Sequence, residues 1–289
     1  MSEPDLLKPI LESIDKLPPF PEIARKILEL SSDDDVNFKD IIDVIKYDEA
    51  ITFNCLKLCN SSYYGLSVKT FTVDQAVIKL GLKNIQMIAL ASANELSDYS
   101  NAQEGYGYGA GELWRHSVTT AIISKLLVKG MSVKEDSILF TSALLHDIGK
   151  IVLNNYVGKD MVNLIELAIK EKISLVEAER AVFGIDHAEL GGIVAENWKF
   201  PSLLSNSIKN HHKSPEKFIP NIVAWVRLSN LVYHVYLANS VYSHHREIIS
   251  IIKQSILFQF KLKKEEIDQV MTEIPGELKK VEMLFNLSF

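Results

Sequence analysis

Near the middle of the chain an apolar run, Ile138-Leu139-Phe140-Thr141-Ser142-Ala143-Leu144-Leu145, ends in His146-Asp147-Ile148-Gly149-Lys150. The run is long enough for a helix buried on most sides, so an imidazole and a carboxylate are carried to a place where polar groups must be paired or ligated. The two can turn toward one divalent ion if the helix is irregular there, and Gly149 permits such a turn. A buried structural His-Asp pair accounts for the doublet equally well. Lys150 reads in two ways: a cation that steadies developing negative charge beside the pair, or a solvated side chain beyond the helix.

Further histidines sit where helices would bring them inward. A long helix from about Glu112 has Trp114, Val118, Ile122 and Leu126 on one face and His116 with Thr120 and Ile123 on another, which predicts a central helix. Ser132-Val133-Lys134-Glu135 is a capping-box pattern that launches the helix ending in the doublet; Ser174-Leu175-Val176-Glu177 opens another, reaching about Phe183. Asp186-His187-Ala188-Glu189 is a third. It puts His187 in a first turn, where the helix dipole disfavours imidazolium and keeps the ring a neutral ligand. Gly191, on the face of His187, is explained either by space for a group beside the imidazole or by core packing. After Trp198-Lys199-Phe200-Pro201, the spacing of Leu203, Leu204 and Ile208 delivers His211 and His212, and Pro215 and Pro220 then impose a loop. A last central helix, Ile222 to Leu237, has Asn230 as its inward polar residue. His234, His244 and His245 have no spacing relation to the others and read as surface or capping residues.

His116, His146, Asp147, His187, His211 and His212 would suit Fe, Mn, Zn, Ni or Co better than calcium. Such an ion could activate water against a phosphoester, with Asp147 in the centre and Lys150 stabilising charge, if the protein is an enzyme.

The first hundred residues read as short helices with tight connections. Leu17-Pro18-Pro19-Phe20-Pro21 breaks one helix and starts the next, Asn37 and Asp48 open two more, and Asn60 to Gly65 is a loop. Thr72 caps a helix that Gly81 closes, and Leu82 restarts the pattern at once. This spacing resembles a helix-turn-helix, yet its second helix is Ile, Met and Ala where base edges would need polar side chains, which argues against nucleic acid. Cys55 and Cys59, four apart among apolar residues, read as buried packing thiols. Residues 97 to 109, with three glycines alternating with two tyrosines, form a connection that lacks the Gly-Lys-Ser/Thr ending of a phosphate loop. Glu265 to Met271 and Glu277 to Phe285 read as two closing amphipathic helices, and Phe285 to Phe289 as an end that docks on a partner or on the body. No alternating strand pattern of useful length occurs.

Composition fits a soluble globule: 289 residues, 47% hydrophobic, 24% charged, with a net charge of -6 and no offsetting basic cluster. No run reaches a membrane span and the N-terminus lacks a secretory pattern, so a cytoplasmic location without membrane contact is expected.

Four ordered blocks resemble the HDOD domain, a relative of the HD superfamily of all-α metal-dependent phosphohydrolases that is found in bacterial signal transduction proteins. They are Leu17-Pro18-Pro19-Phe20-Pro21, Ile45 to Thr52, Leu58 to Gly65, and Thr72 to Gly81, and with the later histidines the resemblance spans about residues 10 to 240. It implies an all-α fold in which an N-terminal helical subdomain (1–103) packs on an HD-like helical core (104–245), with a C-terminal helical extension (246–289). His116 resembles the first histidine of the HD motif, and His146 and Asp147 its doublet. The distant aspartate of that motif falls at Asn230, whose neutral amide brings no charge. His187, His211, His212 and Lys150 resemble residues of the cyclic-dinucleotide phosphodiesterase branch. The chain departs from that branch at Lys213, where an acid stands in the branch, and in lacking its glycine-rich loop.

The resemblance therefore implies a signal transduction or scaffolding domain, most simply non-catalytic, whose degenerate His/Asp site still has the donors for a metal. Its expected partner is a signalling protein or a nucleotide-like small ligand, with no cofactor required. The alternative is a metal-dependent phosphohydrolase acting on a nucleotide or cyclic dinucleotide.

Overall fold

A computed structural model describes residues 26–27, 30, 37–60, 69–93, 112–129, 136–157, 164–213, 221–241 and 254–285. The described residues form helices and turns with no strand: α1 (Phe38–Ile45), α2 (Glu49–Asn60), α3 (Val73–Ala93), α4 (Glu112–Leu127), α5 (Asp136–Leu145), α6 (Ile148–Val157), α7 (Leu164–Glu171), α8 (Leu175–Phe183), α9 (His187–Asn197), α10 (Ser202–Asn210), α11 (Ile222–Val241) and α12 (Lys264–Phe285), with a further helical segment at 254–260. The Leu17 block, the loop after Asn60, the capping box at Ser132, the Gly/Tyr stretch, His244, His245 and the last four residues lie outside the described set.

Local chemistry sets the starts of these helices. Asn37 Oδ1 accepts from the Lys39 amide at 2.9 Å to open α1, and Asp48 Oδ1 accepts from Ile51 at 2.6 Å to open α2. Ser174 and Glu177 make the reciprocal capping box of α8, and Asp186 Oδ1 accepts from Glu189 at 2.8 Å to open α9. Gly81, at φ 72, interrupts α3 where the sequence closes one helix and restarts another.

Tertiary packing centres on α4, which is buried along almost its whole length and lies against α5, α11 and α12. α6 and α10 flank α9. The N-terminal helices are fastened to this core by named contacts: Trp114 Nε1 donates to the Tyr47 carbonyl at 2.6 Å, Phe53 packs on Trp198 and Phe200, and Lys57 lies over the Trp198 ring at 3.5 Å. Cys55 and Cys59 are free and buried in that apolar packing.

One expectation is corrected. The C-terminal segment is one helix running through Pro275, not two. Ile267, Val270, Ile274, Leu278 and Val281 make one unbroken buried stripe on it, and that packing outweighs the missing proline N–H. The helix is interrupted at His146 and Asp147, as the sequence reading allows, and Gly149, which is not at positive φ, sits within the first turn of α6. Its lack of a side chain serves close approach instead, because a Cβ there would fall 1.9 Å from the His187 carbonyl oxygen. Gly191 faces the same contact, where a Cβ would meet Ile208 Cγ2 at 2.9 Å and Gly149 N at 3.1 Å, so packing rather than a lined pocket explains it.

Candidate metal centre

His146 and Asp147 form the two-residue junction between α5 and α6, and both are fully buried. The apolar run makes α5, and the α6–α9 contact through Gly149 turns the junction toward the start of α9. Lys150 is 6% exposed and its Nζ lies 2.6 Å from Asp147 Oδ2, so it belongs to the centre and is not a solvated side chain.

The remaining predicted donors arrive from three other helices. His116, from the middle of α4, places Nε2 3.0 Å from Asp147 Oδ2 and 3.1 Å from His146 Nε2. His187, the first residue of α9, has Nε2 3.2 Å from Asp147 Oδ1, and His211, at the end of α10, has Nε2 3.4 Å from the same oxygen. His212 Nε2 is 2.9 Å from His187 Nε2. The donor atoms form two groups that share Asp147: His116, His146 and Asp147, and Asp147, His187, His211 and His212. Within each group all donor atoms lie within 4.8 Å of one another.

Whether these residues fit a cation is answered by where their protons must be. His146 Nδ1 is 2.7 Å from the Ala143 carbonyl oxygen and His211 Nδ1 is 2.7 Å from that of Ile208. A carbonyl only accepts, so each Nδ1 carries the proton and each neutral ring turns a bare Nε2 inward. The carboxylate they face is also an acceptor. Asp147 Oδ1 and His211 Nε2, buried and 3.4 Å apart, have no hydrogen-bond partner, and neither has Asn230 Oδ1. Lys150 donates to Asp147 Oδ2, but acceptors left without a donor, as Oδ1 and His211 Nε2 are, are costly in an interior unless a cation satisfies them. Imidazoles held through Nδ1 by carbonyls and a carboxylate are the outer-shell arrangement of metal-ligating histidines. The donor set fits a divalent transition metal.

The electrostatics agree with that reading. Burial pushes His146 well below the ordinary histidine value, and also lowers His116, His211 and His212, so these rings are neutral. Burial works against ionisation of Asp147, but His146, Lys150 and the adjacent rings of His116 and His187 outweigh it and hold the carboxyl well below its usual range. His187 departs from the sequence expectation. Burial lowers it, yet the charge of Glu179 more than compensates and its pKa is raised. Glu179, buried on α8, bonds both the ring and the backbone of His187, with Oε2 2.7 Å from Nδ1 and accepting from the amide at 2.9 Å. That local carboxylate dominates the helix dipole.

Sequence reasoning missed Glu179, Glu49 and His234. Glu179 and Glu49 each stand four residues before a buried phenylalanine, Phe183 and Phe53, which is the available sign that an acid faces inward. His234 is exposed, as expected of a surface residue, but its ring is 5.8 Å from that of His116, and Tyr233 lies edge-on to His116 at 4.3 Å. It stands one turn beyond Asn230, a spacing that could have placed it.

Comparison with known proteins agrees with this architecture. The MmoQ response regulator of Methylococcus capsulatus strain Bath superposes with a TM-score of 0.72 at 21% identity, over 89% of this chain and 98% of its own. A virulence factor of Campylobacter jejuni superposes with a TM-score of 0.68 at 21% identity, over 91% and 98% of the two chains. At that identity the likeness establishes the all-α fold. An uncharacterized protein of Treponema pallidum (strain Nichols) is 23% identical over 265 residues, 89% of this chain; the chain spans 48% of the length of that curated relative. The HDOD domain profile matches residues 17–214, taking in the N-terminal helices and every donor of the centre, and the chain therefore belongs to the HDOD family.

Proposed function

We propose that the protein is a signal transduction domain whose buried centre binds a divalent transition metal without turning over a phosphoester. The observation that carries this reading is the burial of five of the six donors, His212 alone reaching the surface. His146, Asp147, His187 and His211 are each 0–1% exposed and His116 is 2% exposed, while Lys150 is spent on Asp147. A phosphoester must reach an open coordination position, and the five buried donors hold an ion between α4, α5, α9 and α10 with access only past His212. An ion held by His116, His146, Asp147, His187, His211 and His212 would supply Lewis acidity. The chain's own residues cross-link four helices around it, which suits a domain that presents a surface to a signalling partner.

The second reading, a phosphohydrolase acting on a nucleotide or cyclic dinucleotide, draws support from the rim. His212, beside His187, and His234, beside His116, are exposed, and two donor groups sharing one carboxylate would suit a pair of ions. Elemental analysis of purified protein, run beside phosphodiesterase assays on bis(p-nitrophenyl) phosphate and a cyclic dinucleotide with added Mn2+, separates the two. Bound transition metal with no turnover above Asp147→Ala supports the first reading. Turnover abolished in Asp147→Ala establishes the second.

A further inference from the structure

Three of the donors are carried by a helical hairpin. α9 begins with His187 and α10 ends just before His211 and His212, so these donors lie at the open end, and Trp198-Lys199-Phe200-Pro201 makes the tip at the other. The tip is a fixed turn. Lys199 stands at φ 59, in the left-handed region, and the Phe200 amide donates to the Ala195 carbonyl at 2.9 Å, the bond that closes a helix over such a residue. The two arms lie too close to slide past each other, because a Cβ on Gly192 would fall 2.5 Å from Lys209 Cβ. α9 and α10 therefore move as one body.

The N-terminal helices grip this body at its tip. Phe53 and Lys57, one turn apart on α2, both engage Trp198: the Phe53 ring lies 4.5 Å from it and 4.8 Å from Phe200, and Lys57 Nζ stands 3.5 Å over the indole. Ahead of α3, Lys69 Nζ donates to the Lys199 carbonyl at 3.1 Å. At the other end α9 rests on α6 through its first turn, where a Cβ on Gly149 would meet both the His187 carbonyl oxygen and the Gly191 nitrogen. Trp198 lies seven residues past Gly191, about 10 Å at 1.5 Å per residue. A small tilt of that first turn swings the tip through a larger distance.

The open end has a reason to tilt. Asp147 Oδ1 and His211 Nε2, 3.4 Å apart and both without a hydrogen-bond partner, are acceptors that close together favourably only around a cation. We propose that the grip of α2 on Trp198 is a positioning contact of the metal centre: through the α9–α10 hairpin, the seating of the N-terminal helices and the occupancy of the centre set each other. This rests on the metal reading above. Phe53, Lys57 and Lys69 act on His187, His211 and His212 through the hairpin and are positioning residues. The coupling runs both ways, since a contact that favours the metal-loaded tilt is itself strengthened, by the same factor, when metal binds.

The test uses the full chain, stripped with chelator and titrated with Mn2+ against a fluorescent chelator at a temperature where every variant is folded. Lys57→Gln removes the cation from the Trp198 ring and is expected to weaken Mn2+ binding about two- to fivefold, the ceiling set by one exposed cation–π contact. Lys57→Arg keeps the cation and should bind as the wild type does. Lys69→Met, which takes the donor from the Lys199 carbonyl, should weaken binding in the same direction. Val44→Ala is the control: it lies buried on α1, which packs on α3, and should lower the melting temperature without changing the affinity. Hydrogen–deuterium exchange reads the coupling in reverse, and Mn2+ should slow exchange at residues 53–60 more in the wild type than in Lys57→Gln. Unchanged affinity in both Lys57→Gln and Lys69→Met, or exchange at 53–60 indifferent to Mn2+, overturns the proposal and leaves the metal centre standing. So does a loss of affinity in Val44→Ala as large as that in Lys57→Gln, which would be general loosening. Failure of the wild type to bind Mn2+ overturns the metal centre and this inference together.

Discussion

At the scale of single residues, His187 and Glu179 decide how the centre is tuned. Glu179 holds His187 by ring and backbone, fixing the orientation of Nε2 toward Asp147 and making it the most strongly supported donor of the set. Replacing such an outer-shell carboxylate typically costs about 10–100-fold in metal affinity. Glu179→Gln should therefore weaken Mn2+ binding by that margin, as read by competition with a fluorescent chelator; unchanged affinity would remove Glu179 from the centre. His146 and Asp147 were legible in the sequence because a run of apolar residues leads straight into them. Glu179 was not, because its partner lies eight positions on, across a turn, and no periodicity links the end of one helix to the start of the next. Lys150 was ambiguous for another reason: a lysine after a helix is solvated unless the chain folds back, and only the α6–α9 contact shows that it does.

At the scale of elements, capping chemistry carried most of the reading. Asn37, Asp48, Ser174 and Asp186 all open the helices their types and spacings predict, since the side-chain bond to an early amide is a local event. The continuity of α12 through Pro275 was not legible, because it is decided by its buried stripe and not by local preference. Crossing geometry was equally hidden. Gly149 and Gly191 read as a turn and a space, but they are the paired surfaces on which α6 and α9 touch. This makes an ordered prediction. Gly149→Ala drives a methyl into the His187 carbonyl, where backbone must move, and should destabilise the fold by about 3 kcal/mol or more. Gly191→Ala meets the Ile208 side chain and the Gly149 amide at longer range and should cost less, on the order of 1–3 kcal/mol. Guanidinium unfolding of the two variants checks the order, and a Gly191 variant as damaged as the Gly149 variant would mean that the contact is not centred at residue 149. Because Gly149 abuts His187, its variant should also lose metal affinity.

At the scale of the whole molecule, the centre ties stability to pH. Five imidazoles, His116, His146, His211, His212 and His234, are pushed below their ordinary value by burial. The unfolded chain takes up their protons below about pH 6.5, whereas the folded chain does not. The unfolded state therefore binds more protons in that window, and stability must fall as the pH is lowered through it. His187 works the other way: its raised value contributes stability that is complete below about 6.5 and lost as pH rises through the folded value. Glu49, also raised, contributes stability that is complete below its unfolded value and declines as pH rises above it. Five groups outweigh two, and chelator-stripped protein should melt at a lower temperature at pH 5.5 than at pH 7.5. Added Mn2+ should widen the gap, because protons compete with a cation for the same nitrogens and the stabilisation from binding is larger where those nitrogens are free. Calorimetric melts from pH 5 to 8, with and without Mn2+, test both slopes. A flat or inverted profile for stripped protein would mean that these rings titrate as exposed histidines do, and the convergence of α4, α5, α9 and α10 on Asp147 would fall with it.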